Sequence, residues 1–232
     1  MAADVAAIRA TRSNAHGAPG APGAPGAPEL VISRWEYRAF GHELMPLIIA
    51  ADIKLAEREA VRHEVYFLAA NSRDSVKVRE NRLEVKKLRE TNASGVELWS
   101  PALVARFPVA SDLLAPVWDA WRVARPEHAA SLPSLSHLLN DFVAKMPSVR
   151  AVIVTKERAR LTLPECRGEH AIVWVDGTRL ETIAVEDEDP GRVLAAATRL
   201  GLTRLPNTSY PRALKAALGL PELSDSPIPE HI

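Results

Sequence analysis

The 232-residue chain carries 29 Lys+Arg against 29 Asp+Glu and so has no formal net charge. Generic nucleic-acid coats and polybasic membrane binders both need a net positive field, so neutrality argues against them. With 47% apolar and 25% charged residues, the composition is that of a globular protein with a sizeable core. Cys166 is the only cysteine, which excludes an internal disulfide and a cysteine-built zinc site and favours a reducing, cytoplasmic address.

Met1 to Asn14 contains Asp4, Arg9 and Arg12 where a secretory signal would be apolar. Leu44 to Ala51, the longest apolar run, is broken by Pro46 and falls well short of the roughly 20 residues needed to span a bilayer. A soluble protein without a membrane partner is expected. Gly17 to Pro28 is a run of Gly-Ala-Pro triplets, so residues 1–28 read as a disordered tail and the fold should begin near Glu29.

Val31 to Phe40 alternates as a strand, and His42 to Arg62 reads as a helix that Pro46 delays or bends. Glu64 to Leu68, Ser75 to Arg79 and Arg82 to Leu88 form a meander around turn residues. Three helices are expected next, from Ser100-Pro101, from Ser111-Asp112 through Arg122, and from Ser134 through Lys145. Together they make a helical insertion over about 100–146, whose apolar stripe of Leu113, Leu114, Val117, Trp118 and Trp121 either covers the core or receives a protein partner. Strands return at Val149 to Leu163, Ala171 to Val175 and Arg179 to Glu186. Asp189-Pro190 starts a helix closed by Gly201, Ser209 starts another closed by Gly219, and residues 221–232 form a frayed tail.

Residues two apart on a strand share a face. Arg34, Glu36 and Arg38 therefore line up, as do Lys77 with Arg79, Glu84 with Lys86, and Lys156 with Arg158, while Glu186 follows Thr182 and Ala184. Apolar residues occupy the opposite faces. Two architectures suit this pattern: a sandwich whose charged faces meet water, or an α+β fold built on an antiparallel barrel, with helices outside and charges converging inside. In the barrel, seven cations would face Glu36, Glu84 and Glu186. Such a cluster needs a compact, multiply charged anion, and phosphate chains match arginine forks and lysine ammonium groups.

At these residues the chain resembles the CYTH, or triphosphate tunnel metalloenzyme, superfamily. The superfamily's opening Glu-x-Glu-x-Lys strand is similar to Arg34-Trp-Glu36-Tyr-Arg38, and its basic strands resemble Ser75-Val-Lys77-Val-Arg79, Leu83-Glu84-Val-Lys86 and Lys156-Glu-Arg158. Its closing Glu-x-Glu strand and the two helices after it resemble Ile183-Ala-Val-Glu186, Asp189 to Leu202 and Ser209-Tyr210. The resemblance spans Val31 to Leu220. It implies an eight-stranded antiparallel tunnel that binds triphosphate, short polyphosphate or an organic triphosphate. Arg34, Arg38, Lys77, Arg79, Lys86, Lys156 and Arg158 would hold phosphate oxygens; Glu36, Glu84 and Glu186 would hold Mg²⁺ or Mn²⁺, with Glu36 and Glu186 as the catalytic carboxylates of a metal-assisted hydrolysis.

Two departures bear on that chemistry. Arg34 and Ala184 stand where the superfamily has glutamates, so each half of the metal site lacks a carboxylate and a positive charge sits beside it. Glu188 shares parity with Glu186, but Asp189-Pro190 follows at once and should leave it at the exposed strand end. A catalytically degenerate tunnel, acting as a phosphate sensor or a scaffold, is therefore the alternative to a weak triphosphatase. An RNA-binding sheet is disfavoured because the charged strands lack stacking aromatics. No phosphate loop, dinucleotide turn, nucleophile elbow or zinc-spaced histidine set is present, and Cys166 beside Arg167 reads as a semi-buried thiol.

Overall fold

The computed structural model describes residues 32–126 and 131–220. The Gly-Ala-Pro tail and the segment after Leu220 lie outside the described residues. Eight antiparallel strands close into a barrel: β1 (Arg34–Gly41), β2 (Arg62–Ala69), β3 (Ser75–Arg79), β4 (Arg82–Thr91), β5 (Glu97–Arg106), β6 (Val149–Leu161), β7 (Arg167–Val175) and β8 (Thr178–Asp187). Their order around the wall is β1-β5-β4-β3-β2-β6-β7-β8. Closure leaves no sheet edge, and strand alternation sends one set of side chains inward and the other outward.

The outward set is apolar and is covered in two places. Val65, Phe67, Val76, Val78, Leu83 and Val85 pack beneath the segment between β5 and β6. That segment carries a 3₁₀ turn (Ser111–Leu114), α1 (Ala115–Trp121) and a helical stretch that starts at Leu135 and runs as mixed α, π and 3₁₀ turns to Lys145. Leu114, Val117, Trp118 and Trp121 are buried against the wall and Leu113 is exposed, so this stripe is core. On the other side, Tyr37, Ala39, Ile183 and Val185 lie beneath α2 (Met45–Ala50) and α3 (Pro190–Arg199). Asp189 caps α3 by accepting the Gly191 N–H at 2.7 Å. Buried His170 and Glu181 meet at 2.7 Å on this outer face, and Glu181 also accepts backbone N–H groups of Leu44 and Met45, which fixes the start of α2.

Two expected helices differ from the structure. The one expected over His42 to Arg62 is confined to α2, because the chain turns at Asp52 with φ +51° and then runs extended beside β6. There the Ala56 and Glu59 N–H groups donate to the Arg160 and Arg158 carbonyls, at 2.9 and 2.7 Å, and so satisfy a stretch of β6 that β2 does not reach. Ser100-Pro101 starts no helix. It lies inside β5, and Pro101 is tolerated beside an irregularity in the β4–β5 register at Val85/Lys86. The insertion accordingly begins beyond Arg106 and not near residue 100.

A last helix, α4 (Tyr210–Ala217), lies inside the barrel. Its Leu214 packs with Leu68, Val152, Val154, Ala171, Val173 and Val175, all inward-facing residues from one end of the wall. The helix enters where β1 and β5 part, since those strands pair only over Arg34 to Glu36. Asn207 fills the gap: its amide donates to the Glu36 and Gly95 carbonyls at 3.1 and 2.8 Å and accepts the Arg38 N–H at 2.8 Å. Buried Lys215 then donates to the Ser72 carbonyl at 2.7 Å, tying α4 to the β2–β3 turn. The barrel is thus open at one end and plugged at the other. No helix among the described residues is long and apolar enough to cross a membrane.

Candidate functional site

Above α4 the inward positions change from apolar to charged and surround a cavity of about 640 Å³. All eight strands contribute to its lining, with nine cationic side chains against five carboxylates. Glu36, Arg38, Lys77, Arg79, Glu84, Lys86, Lys156, Arg158 and Glu186 converge there as the strand parity suggested. Arg34 does not line the cavity. It stands at the start of β1 with its guanidinium 3.9 Å from Glu188, which is exposed beyond the end of β8.

The lining is organised around carboxylates shared between cations. Glu64 Oε2 accepts Lys156 Nζ at 2.8 Å and Lys77 Nζ at 3.2 Å, and Lys156 also donates to the Tyr66 hydroxyl at 2.8 Å. Glu84 accepts Arg79 Nε at 2.7 Å. Arg38 bridges Glu36 and Glu169, at 2.8 and 2.9 Å, while Arg158 reaches Glu169 at 3.4 Å and forks onto Glu59. Among the described residues, Lys86, Arg167 and Glu186 carry no ion pair.

These contacts set the proton affinities. Burial alone would raise Glu64 and Glu169, yet Lys77 and Lys156 hold the first well below the usual carboxylate range, and Arg38 with Lys156 holds the second down to about 2. Burial and the nearby Lys77 charge lower Lys156 from 10.5 to about 7, against the support of Glu64. Glu97 faces the same interior beside Trp99, whose indole N–H it accepts at 3.2 Å; burial and Glu36 push it up to about 7. The Cys166 thiol at the cavity wall is raised to about 11 by burial and by Asp187 and Glu165, so Arg167 does not activate it.

Glu36 and Glu186 are direct partners in the β1–β8 register, but Glu84 lies on β4, engaged by Arg79 and Lys77. No set of three or more acidic, histidine or cysteine side chains placed to hold a metal occurs among the described residues. Ala184 lines the cavity next to Glu186, where a second carboxylate would complete such a set. The Glu36–Glu186 pair does suit a Mg²⁺ that arrives on phosphate oxygens, because that ion keeps waters and commonly takes one or two protein carboxylates.

Sequence reasoning missed several lining residues. Glu64 and Tyr66 share parity on a strand that was recognised, and extending it back to Arg62 would have shown three inward polar groups in a row. Arg167 and Glu169 were hidden by starting β7 at Ala171, although the alternation Arg167, Glu169, Ala171, Val173 runs through. Trp99 lies on β5, where Ser100-Pro101 suggests a helix start instead of a strand; Glu59 and Glu97 are outside the lining but hold lining residues, Glu59 accepting Arg158 from the extended segment and Glu97 accepting the Trp99 indole N–H. Ser209 and Tyr210 line the cavity floor, a placement that no local pattern encodes.

No family model matches the chain, and no curated protein matches it. Similar solved structures include the PH1012 protein of Pyrococcus horikoshii OT3, at 13% identity and TM-score 0.43, covering 77% of this chain and 97% of that one. A protein described as a candidate adenylate cyclase of Bacillus halodurans is 11% identical with TM-score 0.42, covering 75% and 93%. HpAC1 from Hippeastrum, described as a candidate adenylyl cyclase with a dominant triphosphatase activity, is 13% identical with TM-score 0.45, covering 83% and 97%. Likenesses at this level of identity concern the course of the backbone and assign no residue a role.

Proposed function

We propose that this protein binds triphosphate, short polyphosphate or an organic triphosphate in the open half of its barrel. The supporting observation is the lining itself: nine cations against five carboxylates around one cavity, with Lys86 and Arg167 unpaired among the described residues. A cavity so charged is stabilised by a compact polyanion, and the paired guanidinium and ammonium groups can exchange carboxylate partners for phosphate oxygens. Arg38, Lys77, Arg79, Lys86, Lys156 and Arg158 would hold those oxygens. Mg²⁺ or Mn²⁺ carried by the ligand would rest on Glu36 and Glu186 and would neutralise phosphate charge.

A second reading has its own support. Ala184 leaves Glu186 without a neighbouring carboxylate on its strand, and Arg38 occupies Glu36, so the site favours holding phosphate over turning it over. A phosphate-binding sensor or scaffold without hydrolysis is the form this takes. Titration calorimetry with tripolyphosphate, with and without Mg²⁺, and with phosphate release followed in the same samples, separates the two. Metal-dependent release that Glu186→Gln abolishes supports the enzyme; binding without release supports the sensor. Lys77→Ala and Arg158→Ala should each weaken binding roughly tenfold or more, and unchanged affinity in both rejects the phosphate site.

A further inference from the structure

Three of the nine cations lining the cavity, Arg62, Arg158 and Arg160, share a carboxylate that comes from outside the wall. Glu59 lies on the extended segment between α2 and β2. Its carboxylate accepts Arg158 Nη2 at 2.8 Å and Nε at 3.2 Å, and meets Arg62 Nη2 at 3.1 Å and Arg160 Nε at 3.6 Å. These arginines stand at the open end of the barrel, where β2 begins and β6 ends, and Ala60 beside Glu59 also lines the cavity. The five carboxylates of the lining are all fixed on strands; Glu59 is not. No residue from Ala56 to Val61 is buried. Among the described residues, two backbone hydrogen bonds join this stretch to β6, from the Ala56 N–H to the Arg160 carbonyl and from the Glu59 N–H to the Arg158 carbonyl. A segment with so few buried contacts opens locally at low free energy, so the side-chain grip on the arginines is a large part of what holds it.

We propose that residues 56–61 form an autoinhibitory strap: the Glu59 carboxylate occupies the mouth's Arg62–Arg158–Arg160 triad and is displaced when a polyanion binds. The inference rests on the cavity being a phosphate site and adds a control on entry to it. A tethered carboxylate returns without the entropy of association, so it competes as though at high concentration. A singly charged anion offers the triad no more than Glu59 already does, whereas a multiply charged phosphate group offers stronger charge-assisted bonds to each arginine. Apparent affinity falls with the fraction of molecules whose mouth is free, so a strap closed about ten times more often than open lowers it roughly tenfold. A carboxylate that only held Arg158 in position would act in the opposite sense, since its loss would weaken binding.

Titration calorimetry with tripolyphosphate on the full chain tests this in the parent, Glu59→Gln and Glu57→Gln. Glu57 is exposed on the same strap and carries no ion pair among the described residues, so its variant removes an equal charge without freeing the triad. Glu59→Gln should bind at least about tenfold more tightly than the parent, and Glu57→Gln within about twofold of it. Hydrogen exchange read by mass spectrometry supplies a second measurement that needs no variant to fold. Across residues 56–61 of the parent, exchange should speed up when tripolyphosphate binds, the reverse of the protection a ligand gives to segments it covers. Unchanged or weaker binding by Glu59→Gln, equal gains in both variants, or unchanged or slower exchange across 56–61 each overturns the strap, and the parent's own binding then leaves the phosphate site standing. Binding by Glu59→Gln where the parent shows none supports the strap in its tightest form. If neither binds and Glu59→Gln keeps the parent's thermal stability, the phosphate site and the strap fall together.

Discussion

The two halves of the barrel interior are built from the same strands and the same alternation, yet they carry opposite chemistry. Along β6 the inward side chains pass from Arg158 and Lys156 to Val154 and Val152; along β2 they pass from Glu64 through Tyr66 to Leu68. The change falls where α4 enters. Below it, helix and wall exclude water and apolar groups are stabilising; above it, the cavity stays open and charge can be hydrated or met by a ligand. Tyr66 and Tyr210 form the boundary, stacked at 5.6 Å, with Lys156 above both rings. A closed barrel therefore provides both a core and a binding site, with one short helix deciding how much of the interior goes to each.

The sharpest way to break this division is at the plug. Leu214 is fully buried between α4 and the wall, so Leu214→Ala should lower unfolding free energy by about 2–5 kcal/mol in urea denaturation. It should also loosen the floor, weakening tripolyphosphate binding although residue 214 does not touch the cavity. Loss of stability with full affinity would show that the two halves are independent.

Next in size are the two buried groups whose proton affinities burial has displaced. Folding raises Glu97 from 4.5 to about 7, so the folded chain holds that proton to higher pH than the unfolded chain, and the stability it contributes at low pH is lost as pH rises through 7. Glu97→Gln keeps the group neutral and should be more stable than the parent above pH 7, by up to about 3 kcal/mol. Lys156 has the opposite sign. Its folded value of about 7 lies below the usual 10.5, so the unfolded chain binds the extra proton and the lysine's contribution to stability rises between those pH values. A bound polyanion restores the proton, so tripolyphosphate affinity should fall as pH rises above 7. Calorimetry at pH 8 in buffers of different ionisation enthalpy should then register proton uptake on binding.

The smallest effect is expected at Arg34, which resemblance to the tunnel superfamily placed among the phosphate-binding residues. Its guanidinium faces Glu188 at the rim and not the cavity, an exposed pairing of the kind that contributes at most about 1 kcal/mol. Arg34→Ala should leave tripolyphosphate affinity within about twofold, whereas Arg158→Ala on the inner wall should not. Equal losses would mean that the ligand extends past the mouth to the end of β1.

Much of the barrel was legible in the chain, and the exceptions share a cause. Strand alternation is a local signal, so β1, β3 and β4 and the inward charges of β6 could be read directly. Ser100-Pro101 and Lys54 to Arg62 have local signals for helix, and long-range pairing overrode both: β5 closes the wall between β4 and β1, and the extended segment satisfies exposed backbone groups of β6.

By itself, then, the sequence determined the two periodicities, the cap at Asp189, and the converging cations that imply an anionic ligand. These follow from side-chain chemistry at fixed spacing, which the chain carries wherever it folds. Tertiary structure alone decided that β1 and β5 part to admit α4, that Asn207 fills their gap, and that Ser209 becomes the floor of a closed-ended cavity. Those features depend on contacts between residues far apart in the chain, where the balance between burying a helix and pairing a strand is struck only once the wall has closed.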